Sequence, residues 1–169
     1  MKKTLMILAA TAVCSLFAGE ELPINGEFKT VKGNLPEGWV YNTSTKPTGT
    51  MEMVKVDDKN AIKFNAQASD VHTFFDKNFP AAPGDRYEIE AKFTGKGKVG
   101  VGLYFYDAKG AWISGDYNTK VDLDGSAEVK RIIDIPAPKD GKTVAQIRIA
   151  VIAYKGTDAT LTEVDAEKL

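Results

Sequence analysis

Residues 98–110 read KVGVGLYFYDAKG, and the alternation within them decides the fold class. Val99, Val101, Leu103 and Phe105 alternate with Gly100, Gly102, Tyr104 and Tyr106, so an extended backbone sends four apolar side chains to one face. That face is core. The other is flat at its glycine end and aromatic at its tyrosine end, which suits a planar, partly polar ligand such as a sugar. Taken singly, each Tyr is also a good strand former and each Gly a mark of a bulge or a close backbone approach. Taken as a set, they favour a ligand face. Asp107–Gly110 closes the strand with a turn, since glycine tolerates the positive φ such turns need.

Further short alternating runs lie on either side: Met51–Val56, Ala61–Phe64, Val71–Phe79, Arg86–Phe93, Val129–Ile135, Val144–Tyr154 and Thr160–Val164. With Trp39–Tyr41 they predict about nine strands separated by turns. In Arg86–Phe93, Tyr87, Ile89, Ala91 and Phe93 oppose Arg86, Glu88, Glu90 and Lys92, the pattern of a strand with one wet face. In Val144–Tyr154, Ala145, Ile147, Ile149, Val151 and Ala153 oppose Gln146, Arg148, Ala150, Ile152 and Tyr154. No helical spacing persists over a dozen residues beyond the N-terminal segment. The expectation is an all-β, two-sheet antiparallel sandwich using residues 19–169 as one domain.

The N-terminus carries Lys2 and Lys3, then an uncharged run from Leu5 to Phe17, too short to span a bilayer and ending at small residues. That pattern is a secretory signal peptide, with cleavage expected after Ala18. Cys14, the only cysteine, falls inside it, and Val13 before it is too bulky for a lipoprotein signal. Lys2 and Lys3 leave with the leader, so 20 of the 22 Lys and Arg remain against 23 Asp and Glu, a formal charge of −3. An acidic balance without a basic cluster argues against nucleic acid as partner, because that binding rests on neutralising phosphates. No second apolar run approaches membrane-spanning length. The expected product is secreted, extracellular or periplasmic, and held together by packing without disulfides.

Several motifs have the letters of chemistry without its context. Gly95, Gly97 and Gly100 spell the dinucleotide fingerprint, but they lead into a strand where that motif opens a helix, so they read as a hairpin turn. His72 is the only histidine. No nucleophile elbow accompanies it, Ser114 reads as loop, and a lone histidine makes no histidine-rich metal site. It reads as a half-exposed strand residue, with a role as a hydrogen-bonding group beside a sugar as the alternative. Glu88 and Glu90 are neighbours on one strand face, whereas a catalytic pair stands across a cleft. Asn42-Thr43-Ser44 spells a glycosylation sequon. The aromatic inventory is Trp39, Tyr41, Tyr104, Tyr106, Trp112, Tyr117 and Tyr154. Gln146 and Arg148 are suitable polar companions for rings that stack on a sugar.

Asn25-Gly26-Glu27-Phe28, Pro36-Glu37-Gly38-Trp39, Pro83-Gly84-Asp85-Arg86-Tyr87 and Phe105-Tyr106-Asp107-Ala108-Lys109-Gly110 follow one another along the chain. Their order resembles that of the jelly-roll carbohydrate-binding modules of families 4, 9 and 22, which share a galactose-binding-like sandwich. The resemblance implies a noncatalytic domain that binds a polysaccharide or oligosaccharide along a concave sheet. It places Tyr104, Tyr106, Gln146 and Arg148 in the groove and Trp112 at its end, with Trp39 either there or packed under the first turn. It also implies a structural calcium. Lys29 after Phe28 and Thr162-Glu163-Val164 in the last strand oppose that ion, since a hard cation wants several oxygen ligands. No cofactor is expected. The competing reading is a structural or adhesive surface domain that binds another protein, and a glycosidase or lyase ranks third.

Overall fold

A computed structural model describes residues 19–44 and 46–169, so the leader read at 1–18 lies outside the described residues. Thirteen strands follow one another: β1 (Glu20–Glu21), β2 (Val31–Lys32), β3 (Leu35–Pro36), β4 (Trp39–Tyr41), β5 (Thr50–Val56), β6 (Lys59–Ala66), β7 (Val71–Phe75), β8 (Phe79–Pro80), β9 (Arg86–Tyr106), β10 (Trp112–Asp116), β11 (Val121–Asp134), β12 (Gln146–Ala153) and β13 (Thr157–Lys168). All pairings are antiparallel. The all-β sandwich expected from the alternation is the fold observed. Four of the strands are two-residue pieces, which leaves nine longer ones, but they are not the expected nine.

The difference lies in β9. The expected strands at 86–93 and 99–106 are one strand of 21 residues, and the glycines between them make no hairpin turn. Gly95 and Gly97 instead hold φ of 131° and 122°, a region closed to other residues, and bend the strand as it passes between two layers. Before the bend β9 lies between β11 and β13, in a layer continued by β6 and β5. After it β9 lies between β12 and β10, in a layer continued by β7 and β4. The missing ninth strand is β10, where Ser114 had suggested loop.

Both halves of β9 keep odd-numbered residues inward. Tyr87, Ile89 and Phe93 meet Val101, Leu103, Ile147, Ile149, Ile62, Phe64 and Leu161 in one core. Along β9 and β11 opposite charges face one another, Lys98 with Asp122, Lys96 with Asp124 and Glu90 with Lys130, so a slip of one residue would break the charge pairing and the apolar stripe together. Trp39 is 2% exposed, packs edge-on against Phe28 and Phe75, and donates its indole N–H to the Asn25 carbonyl at 2.9 Å. It is the plug under the first turn.

The second face of β9 departs from expectation. Before the bend burial alternates, but from Val99 to Phe105 every residue is buried on both sides. The chain after β10 folds back over the glycine end: a Cβ on Gly102 would stand 2.2 Å from the Asp116 carbonyl oxygen, and one on Gly100 2.5 Å from that of Thr119. The flat end of the face is thus filled by the protein's own backbone. Arg131 latches this strap, donating to the Val101 carbonyl at 3.1 Å and to the Asp116 carboxylate at 2.8 Å, and the Tyr154 hydroxyl donates to the Tyr117 carbonyl. Among the described residues no helix is long and apolar enough to cross a membrane.

Candidate functional site

Register builds the site from even-numbered residues of the β4-β7-β12-β9 layer. Tyr106 pairs with Gln146, Tyr104 with Arg148, and Gly102 with Ala150, which itself pairs with Phe74; Ile152 pairs with both Gly100 and His72. Ala150 and Gly102, small and side by side, give the strap room to settle on this outer face, and it sets Tyr117 against the rings beside them. Tyr117, carried by the strap, meets Tyr104 edge-on at 5.3 Å and His72 edge-on at 5.5 Å. Phe74 lies 5.7 Å from Tyr104. Tyr104, Ala150, Ile152 and Tyr154 form a small second core under these rings.

What remains open is a cleft of about 580 Å³, bounded by Tyr41, Asn42, Thr43 and Ser44 on one side and by Tyr106 and Trp112 on the other, with His72, Phe74, Tyr104 and Tyr117 between. That volume lies in the range of about 300–1,000 Å³ usual for ligand pockets. Trp112, 59% exposed, stands at the rim. It pairs with Tyr106, and a bulge between Trp112 and Ser114 interrupts the ladder there, a device that re-aims side chains.

Tyr104 is not the open platform that the alternation predicts: it is 5% exposed. Its hydroxyl lies 2.8 Å from His72 Nδ1 and accepts from Asn42 Nδ2 at 3.3 Å. A phenolic proton given to Nδ1 would leave the neutral imidazole's own proton on Nε2, and the Asn42 bond, which the oxygen accepts, leaves the Tyr104 hydroxyl proton available for it. Burial pushes the Tyr104 phenol up to about 12. His72 is likewise buried rather than half-exposed, at 7%. Burial pushes the imidazole below its ordinary 6.5, against the raising pull of the Asp70 carboxylate. Asn42 is itself held by an Asx turn, with Ser44 N–H and hydroxyl both donating to Oδ1.

Gln146 and Arg148 do adjoin the two tyrosines, but they stand beside the cleft lining. The Arg148 guanidinium sits 5.3 Å from the Phe74 ring and 5.0 Å from that of Tyr106. It donates to Asn78 Oδ1 at 2.5 Å and to the Asp76 carboxylate at 2.8 Å. Gln146 accepts from Asn78 and donates to the Ala108 carbonyl at 3.4 Å. Sequence reasoning missed Phe74, and took Asn42, Thr43 and Ser44 only as sequon letters. Period two from His72 puts Phe74 on the same face; nothing local marks the 42–44 rim.

The calcium that the resemblance implies does not fit. Phe28, Lys29, Thr162 and Glu163 do line one pocket, but its three acidic residues, Glu27, Asp58 and Glu163, are matched there by three lysines, Lys29, Lys55 and Lys59. Lys29 pairs with Glu27, and the Phe28 carbonyl already accepts from Asn60 at 2.7 Å. Among the described residues no group of three or more His, Cys, Asp or Glu is placed to hold a metal. Glu88 and Glu90 lie outside the cleft, on the other layer, at 2.5 and 3.8 Å from the Lys130 ammonium.

No protein-family model matches the chain, and no curated protein does. Solved structures share its fold. A cyclase from Fischerella sp. TAU has a TM-score of 0.63 at 10% identity, covering 90% of this chain and 98% of its own. An arabinose-bound α-L-arabinofuranosidase has a TM-score of 0.59 at 13% identity; it covers 88% of this chain, which spans only 26% of that enzyme. The CBM22-1 xylan-binding domain of Paenibacillus barcinonensis Xyn10C has a TM-score of 0.57 at 10% identity, covering 89% of this chain and 96% of its own. At such identities the likeness is one of fold, and the fold is the jelly roll that this family 22 module shares with the cyclase and with part of the glycosidase.

Proposed function

We propose that this chain is an exported, noncatalytic carbohydrate-binding protein that takes an uncharged polysaccharide or oligosaccharide into the cleft. The observation that carries the reading is the lining: four tyrosines, a tryptophan and a phenylalanine beside Asn, Thr, Ser and a buried histidine, without a carboxylate, lysine or arginine among them. Aromatic rings stack on the C–H face of a pyranose while hydroxyl and amide groups bond its hydroxyls. An acidic sugar would bring its charge into an aromatic cleft beside which Arg148, stacked on Phe74 and Tyr106, is already bonded to Asp76 and Asn78. Glycoside hydrolysis wants two facing carboxyl groups, which this lining lacks. The jelly-roll relative that binds xylan supports the class of ligand, and the leader read at residues 1–18 supports export.

Affinity gel electrophoresis through soluble xylan, β-glucan, mannan and pectin tests the reading, with Trp112→Ala as the site variant. Retardation by a neutral polymer is expected, and Trp112→Ala should weaken it tenfold or more, about 1.4 kcal/mol at the least, without lowering Tm. No retardation by any polymer would overturn the proposal and turn attention to a surface protein as the partner.

A further inference from the structure

The Asn42–Tyr104–His72 chain of hydrogen bonds has a direction at its start, where Asn42 donates to the Tyr104 oxygen. That hydroxyl lies 2.8 Å from Nδ1, and by giving its proton to Nδ1 it would leave the one imidazole proton on Nε2. The chain is braced at its start, because Ser44 fixes the Asn42 side chain and the Asn42 backbone N–H donates to the His72 carbonyl at 2.9 Å. Among the described residues Nε2 has no hydrogen-bond partner, and since none of their fully buried side-chain nitrogens or oxygens is left without one, Nε2 opens onto the cleft that His72 lines. The groups packed around the ring are the Tyr104 and Tyr117 rings and the apolar Ile152, and Asp70 is the charged neighbour acting on it. None of these takes the Nε2 proton.

We propose that His72 reads the ligand from the floor of the cleft, donating Nε2–H to a hydroxyl or ring oxygen of the bound sugar, in a tautomer that Asn42 and Tyr104 fix. The inference rests on the carbohydrate-binding reading above. Tyr104 is then a positioning residue that touches the imidazole and acts on the ligand through it. The low imidazole pKa keeps the ring neutral at pH 7, which leaves Nδ1 free to accept from Tyr104.

His72 is the only histidine, so its imidazole nitrogens are unambiguous in a long-range proton–nitrogen NMR spectrum of the labelled protein. The expected spectrum at pH 7 has Nδ1 bare and Nε2 protonated, and titration with xylo-oligosaccharide shifts the Nε2–H resonance and slows its exchange with water. Tyr104→Phe is expected to give a mixture of tautomers and a several-fold weaker retardation in xylan gels. His72→Gln, which keeps an N–H near the Nε2 position, should retain most of the binding, and His72→Leu should lose it tenfold or more. A proton on Nδ1, or retardation by xylan with an unmoved Nε2–H, would overturn the role of His72 and leave carbohydrate binding standing. Failure of xylan, β-glucan and mannan alike to retard the protein would overturn both.

Discussion

Tyr104 and Trp112 show how one residue type of chemistry divides into two jobs by burial. Tyr104, closed over by Tyr117 and bonded to His72, is part of a small core; Trp112, at the rim, has most of its ring in water. The alternation in Val99–Tyr106 correctly put Tyr104 on the face away from the main core. It could not show that a segment a dozen residues later would return to cover that face, because nothing local in Asp116–Thr119 announces its destination. His72 carries a consequence for stability at this scale. Its folded pKa lies below the unfolded value of 6.5, so the unfolded chain binds the proton more readily in acid. The contribution of neutral His72 is therefore complete above pH 6.5 and is lost as pH falls through the folded pKa, each unit of difference being worth about 1.4 kcal/mol. Thermal unfolding from pH 8 to 5 should show the wild type losing Tm relative to His72→Gln as the medium becomes acidic. Parallel curves for the two proteins would refute this.

Among the elements, β9 was legible in its two halves and illegible as a whole. Its glycines read as a turn because isolated Gly pairs usually are one, whereas here the backbone of β13 passes so near that no side chain fits: a Cβ at Gly95 would stand 2.3 Å from the Asp158 carbonyl oxygen. β10 was hidden for the opposite reason, since ISGDY has little β propensity and pairs only because it follows the Asp107 turn back along β9. The strap after β10 is likewise an account of space. Gly102→Ala would drive a methyl into the Asp116 carbonyl and the Tyr117 backbone, so a loss of about 1–3 kcal/mol is expected by denaturant titration, with weaker ligand binding as Tyr117 is displaced. A variant of unchanged stability would mean that the strap yields freely and does not hold the ring in place.

At the scale of the molecule, the class of fold followed from short alternating runs and turn signals, whereas the pairing of Gln146 and Arg148 with Tyr106 and Tyr104 is set by the register of β12 on β9, which the alternation alone left open. The lining of the cleft was left open as well, because Asn42, Thr43 and Ser44 reach it through the path of a loop, which no periodicity encodes. The opposition of Lys29 to calcium has a direct test. Tm should be the same in chelator and in millimolar calcium, since a ligand that stabilises the native state must raise it. A rise of several degrees with calcium would show that the lysines move aside.

Because β9 belongs to both layers, the backbone that floors the cleft and the backbone at the centre of the core are one strand of 21 residues. Neither layer can peel away without breaking that strand's ladders on both sides, so its amides should exchange with solvent only through global unfolding. A binding floor that cannot open separately is already in its bound shape. In the proposed complex the ordering cost of association would then fall chiefly on the ligand, which the strand meets preorganised.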